Sequence, residues 1–378
     1  MKAVDGTIKV GVVVTPGEGS YSNNANHFAV NPRTGSTNYG WTPILLTNLA
    51  RLGVTPDFAI HHSYASGDSD PLLLQAAGGV GGWASDAASL RQMLSDYLGA
   101  AGTNVELCVT ENNTSARGKQ LTSLVNGLYY ADSLSQLMQT EFNSFLWWDL
   151  RNGIWSDGDL DPTIYGWRLY GDEGVIGGLA TGYPTAYAAK LMPHFARPGD
   201  TVVSASSDYL LLSAYAVRGA SGAIRVLVIN KDTTASLNAQ VALSGFLPGS
   251  ATIGSYGIPQ DEAARTNGTA EAQDLALTNL PVVSSGFSYN FPPLSLTLFA
   301  FAPAAPSLAI SAPVPQPGDH VILQLRGQAG VRYVIENSTD LTAWAPFSTH
   351  TLASTTLDLT IPVPTGTAIN FWRARWQE

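Results

Sequence analysis

The sequence predicts an α/β region with a parallel sheet, followed by two all-β regions. Up to about residue 165, short apolar runs alternate with helical spacings. From about 166 onward the apolar period falls to two, with Gly, Pro, Asn and Asp between the runs. A Pro/Ala/Ser-rich stretch then precedes a last set of short strand patterns. The expected boundaries are 1–165 for the β/α region, 166–303 for a β-sandwich, 304–317 for a linker and 318–378 for a small C-terminal β module.

In chain order, the first strand is Ile8–Val14, and the helix Trp41–Leu52 follows, stopped by Gly53. The second strand is Asp57–His62. The helix Ser85–Leu98 carries Leu90, Met93, Leu94 and Leu98 on one face. Val105–Thr110 is the third strand, Leu121–Thr140 a long helix and Phe142–Trp148 the fourth strand. These strands are almost continuously apolar, as strands buried on both faces are. After a short helix at Thr185–Phe195, the segments Tyr209–Tyr215, Ile224–Asn230, Ala239–Leu243 and Ser295–Phe301 read as sandwich strands. His320–Leu325, Val331–Glu336, Thr356–Ile361 and Phe371–Arg375 read as strands of the last module.

Composition narrows the function. The 378 residues carry a net charge of −10, and only 13% are charged. An acidic chain lacks the basic face that nucleic acid or an anionic membrane surface requires. No apolar run reaches the length of a membrane-spanning helix. The N-terminal MKAVDGTIKV has no apolar signal core. The single cysteine, Cys108, excludes an internal disulfide and a cysteine-based zinc site, and inside an apolar strand it reads as an inert buried thiol. Low charge with 9 Trp, 15 Tyr and 12 Phe suits a secreted or periplasmic protein that handles neutral polar ligands such as sugars.

In a parallel β/α array the reactive residues sit at the C-terminal ends of the strands. Those ends supply Glu18 in the loop TPGEGS, His61-His62-Ser63-Tyr64, Thr110-Glu111-Asn112-Asn113 and Trp147-Trp148-Asp149. A carboxylate beside imidazole, phenol and indole suits sugar chemistry: the carboxylate attacks or stabilises an oxocarbenium centre, and an indole stacks on the ring. Glu111 is the sharpest signal, because a charge directly after an apolar strand has no packing role. The alternative is a solvated acid, or one paired with Arg117 or Arg151. Strand alternation sends His61 and His62 to opposite faces, and His62 is taken as the pocket residue. Tyr64 is the candidate donor to Glu111, and Asn112 a candidate sugar contact beside it. Trp147 and Trp148 also point oppositely, so one packs on helices and one floors the site. Asp157, Asp159 and Asp161 resemble a calcium loop but lack its glutamate, so no metal is expected.

The ordered segments TIKVGVVV, TPDFAIHHSYA, VELCVTENN, FNSFLWWDLRNG and YPTAYAAKLMPHFARPGDTVV together resemble the C-terminal half of a clan A retaining glycoside hydrolase, of the alpha-L-arabinofuranosidase-like kind. The resemblance spans about 300 residues. It implies a partial TIM-type barrel holding barrel strands five to eight, followed by a β-sandwich. Glu111 then matches the nucleophile, His62 and Tyr64 its strand-six neighbours, and Trp148 the aromatic under the sugar. The family's acid/base glutamate belongs to strand four, which matches no segment here. Glu18 and Asp149 are the in-chain candidates for that role, with Glu173 third. The function implied is retaining hydrolysis of plant cell-wall polysaccharide, of the arabinofuranosidase, xylanase, xylosidase or β-glucanase type, without a cofactor. The competing expectation is a non-catalytic carbohydrate-binding protein or an inactive fragment. An open half-barrel also leads us to expect a homodimer through its strand edges, or cover from its own β domains.

Overall fold

Strand β1 (Gly11–Val13) opens a parallel sheet. A short hairpin, β2 (Ala29–Val30) and β3 (Thr37–Asn38), precedes helix α1 (Trp41–Arg51). Strand β4 (Phe58–Ala65), helix α2 (Trp83–Leu98), strand β5 (Glu106–Thr114), helix α3 (Leu124–Leu137) and strand β6 (Phe142–Phe145) follow. The sheet order β1-β4-β5-β6 is the order of the chain, and every pairing is parallel. In this computed structural model the described residues are 2–19, 26–65, 73–75, 82–115, 119–151, 173–177, 182–266, 272–280, 284–310, 320–362 and 370–378.

Among the described residues, α2 and α3 pack on one and the same face of the sheet. Trp83 of α2 meets His61 of β4 and Phe142 and Phe145 of β6. Tyr130 of α3 meets Phe145 from the same side. Ala59, Leu107 and Val109 are buried beneath them. On the other face Val13 is 48% exposed and Ile60 and Cys108 are half-buried, so among the described residues this face has no covering layer. Cys108 is therefore not the sealed thiol its strand suggested: its Sγ lies 3.1 Å from Asn143 Oδ1 on the open face. α2 forms because Trp83, Ala87, Leu90, Leu94 and Tyr97 recur at helical spacing and bury. Gly99, at φ 60°, ends it.

The outer edge of β1 is partly taken. Val14 N–H bonds Ile60 O, so the neighbouring Val13 and Thr15 direct their backbone groups away from β4. The Trp41 indole donates to Val13 O at 2.9 Å. Thr42 Oγ1 accepts from Thr15 N and donates to Thr15 O. The first turn of α1 thus occupies the part of this edge where a strand from a second copy was expected to pair.

The chain divides into two units, residues 1–190 with 257–274, and residues 191–256 with 275–378. Helix α4 (Pro184–Phe195) runs across the first boundary, and α5 (Ile258–Thr266) belongs to the first unit although the sequence reading put it in the sandwich.

The second unit holds the antiparallel strands β7 (Thr201–Val203), β8 (Leu212–Arg218), β9 (Ile224–Asn230), β10 (Leu237–Ala242), β11 (Pro248–Tyr256), β12 (Ala276–Leu280), β13 (Gly286–Phe291) and β14 (Ser295–Pro303). Six of them form the sheet β12-β11-β14-β9-β8-β7, and β10 pairs with β13. Val226, Val228, Ile253, Phe291, Phe299 and Phe301 fill the space between the sheets. The expected linker contains a strand of its own, β15 (Ser307–Ile310). With β16 (His320–Arg326), β17 (Arg332–Ser338), β18 (Ala345–Thr351), β19 (Thr356–Pro362) and β20 (Phe371–Trp376) it builds two three-stranded sheets around Leu325, Val331, Tyr333 and Ile335.

This last module is fastened to the sandwich. Gln328 brackets Leu247 with two hydrogen bonds of 2.7 Å. Ser221 O accepts from Arg332 N and from the Trp376 indole. At the joint, Gly222 has φ 91°, and a Cβ there would lie 2.7 Å from Val331 Cγ2, so only glycine fits.

Candidate active site

Alternation along β4 sorts its two histidines. His61 is buried, with Nε2 3.0 Å from Asp86 Oδ2 of α2, and it stacks on Phe142. His62 therefore falls on the open face, together with Tyr64.

The same alternation along β5 would send Glu111 toward the helices, because Leu107 and Val109 point there. A β-bulge prevents this. His61 pairs with Val109 but His62 pairs with Glu111, so Thr110 is an extra residue in the ladder. Glu111 consequently joins Thr110 on the open face, and Asn112 takes the helix side.

Two side chains then converge on Glu111, and Thr110 holds one of them. The Tyr64 hydroxyl donates to Glu111 Oε2 at 2.7 Å. His62 Nδ1 lies 3.4 Å from the same oxygen, and its Nε2 is 2.7 Å from Thr110 Oγ1. Both contacts fall on Oε2, and Oε1 has no partner among the described residues. The side chains of His62 and Glu111 are 34% and 29% exposed, enough to meet a ligand. Burial, the bond to Glu111, and the charges of Glu111, Glu173 and Asp149 together push the Tyr64 phenol well above its ordinary range. Three carboxylates therefore act on one phenol, and Tyr64 stays a donor at any working pH.

The end of β6 is tied to this cluster. Trp148 N donates to Asn112 O at 3.1 Å. Asn113 Nδ2 donates to Trp148 O and to Glu173 O, and Asn126 Nδ2 supports it through Asn113 Oδ1. Asp149 N bonds Glu173 O, and Val175 N bonds Asp149 O. The Trp148–Asp149 peptide is cis. Trp148 is 43% exposed beside the cluster.

Three expected site residues are placed elsewhere. Asn112 is fully buried on the helix side, donating to Ser63 O and Tyr129 and accepting from Ser133; the bulge at Thr110 is the reason. Trp147 packs against Tyr129, Tyr130 and Phe145, and Trp148 is the exposed indole of the pair. Glu18 belongs to a separate network, where its Oε1 accepts from Asn31 Nδ2 at 2.6 Å and from Tyr97 of α2 at 3.1 Å. Asn31 also donates to Asp96, which pairs with Arg33 at 2.7 Å. Asn113 and Thr110 stand in the strand-end run but were given no role of their own. The polar run TENNT, too long for a plain strand end, was the available signal. Asp157, Asp159 and Asp161 lie outside the described residues.

No protein-family model matches the chain, and no curated protein matches it in sequence. Solved structures do resemble it in fold. A xyloglucanase of glycoside hydrolase family 44 from Paenibacillus polymyxa matches with a TM-score of 0.52 at 15% identity, over 79% of this chain and 58% of its own. An alpha-L-arabinofuranosidase from Thermotoga maritima, solved as an arabinose complex, matches with a TM-score of 0.51 at 15% identity, with the same coverage. The family 44 endoglucanase Cel44A from Clostridium thermocellum matches with a TM-score of 0.51 at 14% identity, over 80% of this chain and 58% of its own. The chain thus spans under two thirds of the length of the structures it matches. At these identities the likeness concerns the fold.

Proposed function

We propose that this chain carries the nucleophile side of a retaining glycoside hydrolase for plant cell-wall polysaccharide, with Glu111 as the nucleophile. The supporting observation is the state of that carboxylate. Tyr64 and His62 fix Oε2, and Oε1 is left for attack. The fold-level neighbours, an arabinofuranosidase, a xyloglucanase and an endoglucanase, give the reading its substrate class. A polymer of the cell wall also places the working protein outside the cytoplasm.

In the first half-reaction Glu111 Oε1 forms a bond to the anomeric carbon as the glycosidic C–O bond breaks. The leaving oxygen takes a proton from a carboxylic acid. In the second, water attacks the anomeric carbon, its proton returns to that acid, and Glu111 is released. Tyr64 and His62 hold the carboxylate against rotation, and the exposed face of Trp148 offers a stacking surface for a sugar ring. The acid must stand about 5–5.5 Å from the nucleophile. Asp149 and Glu173, whose charges reach the same phenol as Glu111, are the in-chain candidates.

Incubation with activated 2-deoxy-2-fluoro arabinosides, xylosides and glucosides tests this reading. One of them should leave a single glycosyl adduct on the peptide containing Glu111, detected by mass spectrometry. Glycan binding without any adduct or turnover would make the chain a carbohydrate-binding protein instead.

A further inference from the structure

Two arginines at the far end of the C-terminal module are held in an unusual way. Glu336 of β17 is buried, its side chain 5% exposed, and it accepts from Arg373 Nε at 2.7 Å and from Arg375 Nε at 2.9 Å. Arg–carboxylate pairs are commonly bidentate through a fork of two N–H groups. Here each guanidinium spends only its Nε on the carboxylate. The terminal nitrogens of both have no partner among the described residues, and the side chains are 47% and 48% exposed.

The two guanidiniums share one face. Arg373 and Arg375 are two residues apart on β20, so their side chains leave the same side of the sheet about 7 Å apart. That side is opposite the module core, which Ala374 and Trp376 face. Arg373 is fixed a second time, its guanidinium carbon 4.2 Å from the centre of the Trp344 ring. Trp344 is itself held, because its indole donates to Leu341 O at 3.1 Å. The turn that carries it is strained: Leu341 has φ 64°, which a leucine rarely adopts. Ser338 and Asp340 clamp that turn through Leu341 N, Thr342 N and Ala343 N, so the Asp340 carboxylate is engaged with backbone. The module is fastened to the sandwich at the Arg332 end of β17, and Glu336 lies four residues further along, about 13 Å away.

We propose that this face binds a carboxylate-bearing glycan, a polyuronate or a uronate-substituted polysaccharide. The free forks of Arg373 and Arg375 take the sugar carboxylate, and the buried Glu336 and the Trp344 ring preorganise them. Two cations against one buried carboxylate leave a positive patch on a chain of net charge −10, which sets the sign of the ligand. The anion site stands on these contacts alone. The choice of a glycan as the bearer of the carboxylate rests on the hydrolase reading.

Affinity electrophoresis of the full chain through gels containing polygalacturonate or neutral arabinan tests the proposal. Polygalacturonate should retard the wild type, less so at high salt. Arg373→Gln with Arg375→Gln should weaken that retardation at least tenfold and leave the behaviour in arabinan unchanged. Arg373→Lys with Arg375→Lys keeps the charge on Glu336 but removes the forks, and should also lose most of the retardation. The lysine variant carries the test if the glutamine variant does not fold. Glu111→Gln should be retarded like the wild type, so a failed hydrolase reading and a failed binding site are distinguishable. The proposal is overturned if polygalacturonate does not retard the wild type, or if the lysine variant binds it as well as the wild type. Equal retardation by polyglutamate or by DNA would likewise overturn it, since the site would then recognise charge and not a sugar acid.

Discussion

Thr110 and Glu111 are consecutive in β5, yet both reach the imidazole of His62. Thr110 Oγ1 lies 2.7 Å from Nε2 and Glu111 Oε2 lies 3.4 Å from Nδ1. In a regular strand these side chains would point to opposite faces. The extra residue opposite the His61–His62 step brings them together, so the bulge itself is a component of the site. Deleting Thr110 removes the extra residue and restores plain pairing with Glu111 still opposite His62 on the open face. Turnover of a chromogenic glycoside should then fall far less than it does when the carboxylate is removed, because only the Thr110 contact to His62 is lost. Thr110→Val keeps the bulge and loses one hydrogen bond, about 0.5–1.5 kcal/mol, so its turnover should drop by roughly tenfold at most.

Glu111→Gln removes the nucleophile while keeping its size. The Gln can still accept from Tyr64, so the change should cost about 1–1.5 kcal/mol of stability, the difference between a charged and a neutral hydrogen bond. Turnover should fall on the order of 10³-fold or more, given what covalent catalysis contributes. Steady-state rates together with urea unfolding check both parts. Activity within a few-fold of the wild type would remove Glu111 from the mechanism.

Tyr64→Phe tests the fixing of the carboxylate. A hydrogen bond to a charged group contributes about 1.5–3 kcal/mol. If it acts fully in the transition state, kcat should drop roughly 10- to 100-fold with KM little changed. The phenol is held far above its ordinary range, so it does not ionise below pH 9, and the wild-type profile should show no limb belonging to it.

The order of strands and helices in the first unit was legible because apolar runs and helical spacings are periodic, and periodicity survives in a single sequence. So was the pairing of the Tyr64 hydroxyl with the Glu111 carboxylate. The bulge was not legible. It shifts side-chain parity by one residue, and nothing in VELCVTENNT says where the extra residue sits. Asn112 was therefore expected at the pocket and Asn113 overlooked, whereas the structure buries the first against Tyr129 and Ser133 and uses the second to hold Trp148 and Glu173. Glu18 was misread for a related reason. It follows a strand end, but its loop carries it to Tyr97 on α2.

That contact has a consequence for stability. Burial, and the Glu18 carboxylate that accepts its hydroxyl, push Tyr97 up to about 12. Above pH 10 the unfolded chain gives up this proton while the native state keeps it. The unfolded state then binds fewer protons, and stability falls as pH rises between 10 and 12. Tyr97→Phe removes this contribution, so its stability should decline with pH less steeply than the wild type, by up to about 1.4 kcal/mol per pH unit. Urea midpoints at pH 9.5 and 11.5 measure the difference. Equal declines in the two proteins would show that Tyr97 is not the group responsible.

The identity of the acid is the part of the mechanism on which the carboxylates divide. Glu18 is committed to Asn31 and Tyr97, so Glu18→Gln should leave turnover within about twofold and the pH profile unmoved. Asp149 and Glu173 are joined through backbone, and their charges reach Tyr64 together with that of Glu111. In a retaining mechanism one carboxyl must carry a proton for the leaving oxygen while Glu111 is ionised for attack. That requirement for one protonated and one ionised carboxyl predicts a bell-shaped activity profile at roughly pH 4 to 7. Replacing the acid by its amide should abolish the alkaline limb. It should also slow substrates with poor leaving groups far more than dinitrophenyl glycosides, whose leaving group departs without a proton. One of Asp149→Asn and Glu173→Gln should show that leaving-group dependence and the other should not. If both variants slow good and poor leaving groups equally, neither residue donates the proton, and the acid must come from a residue outside this cluster.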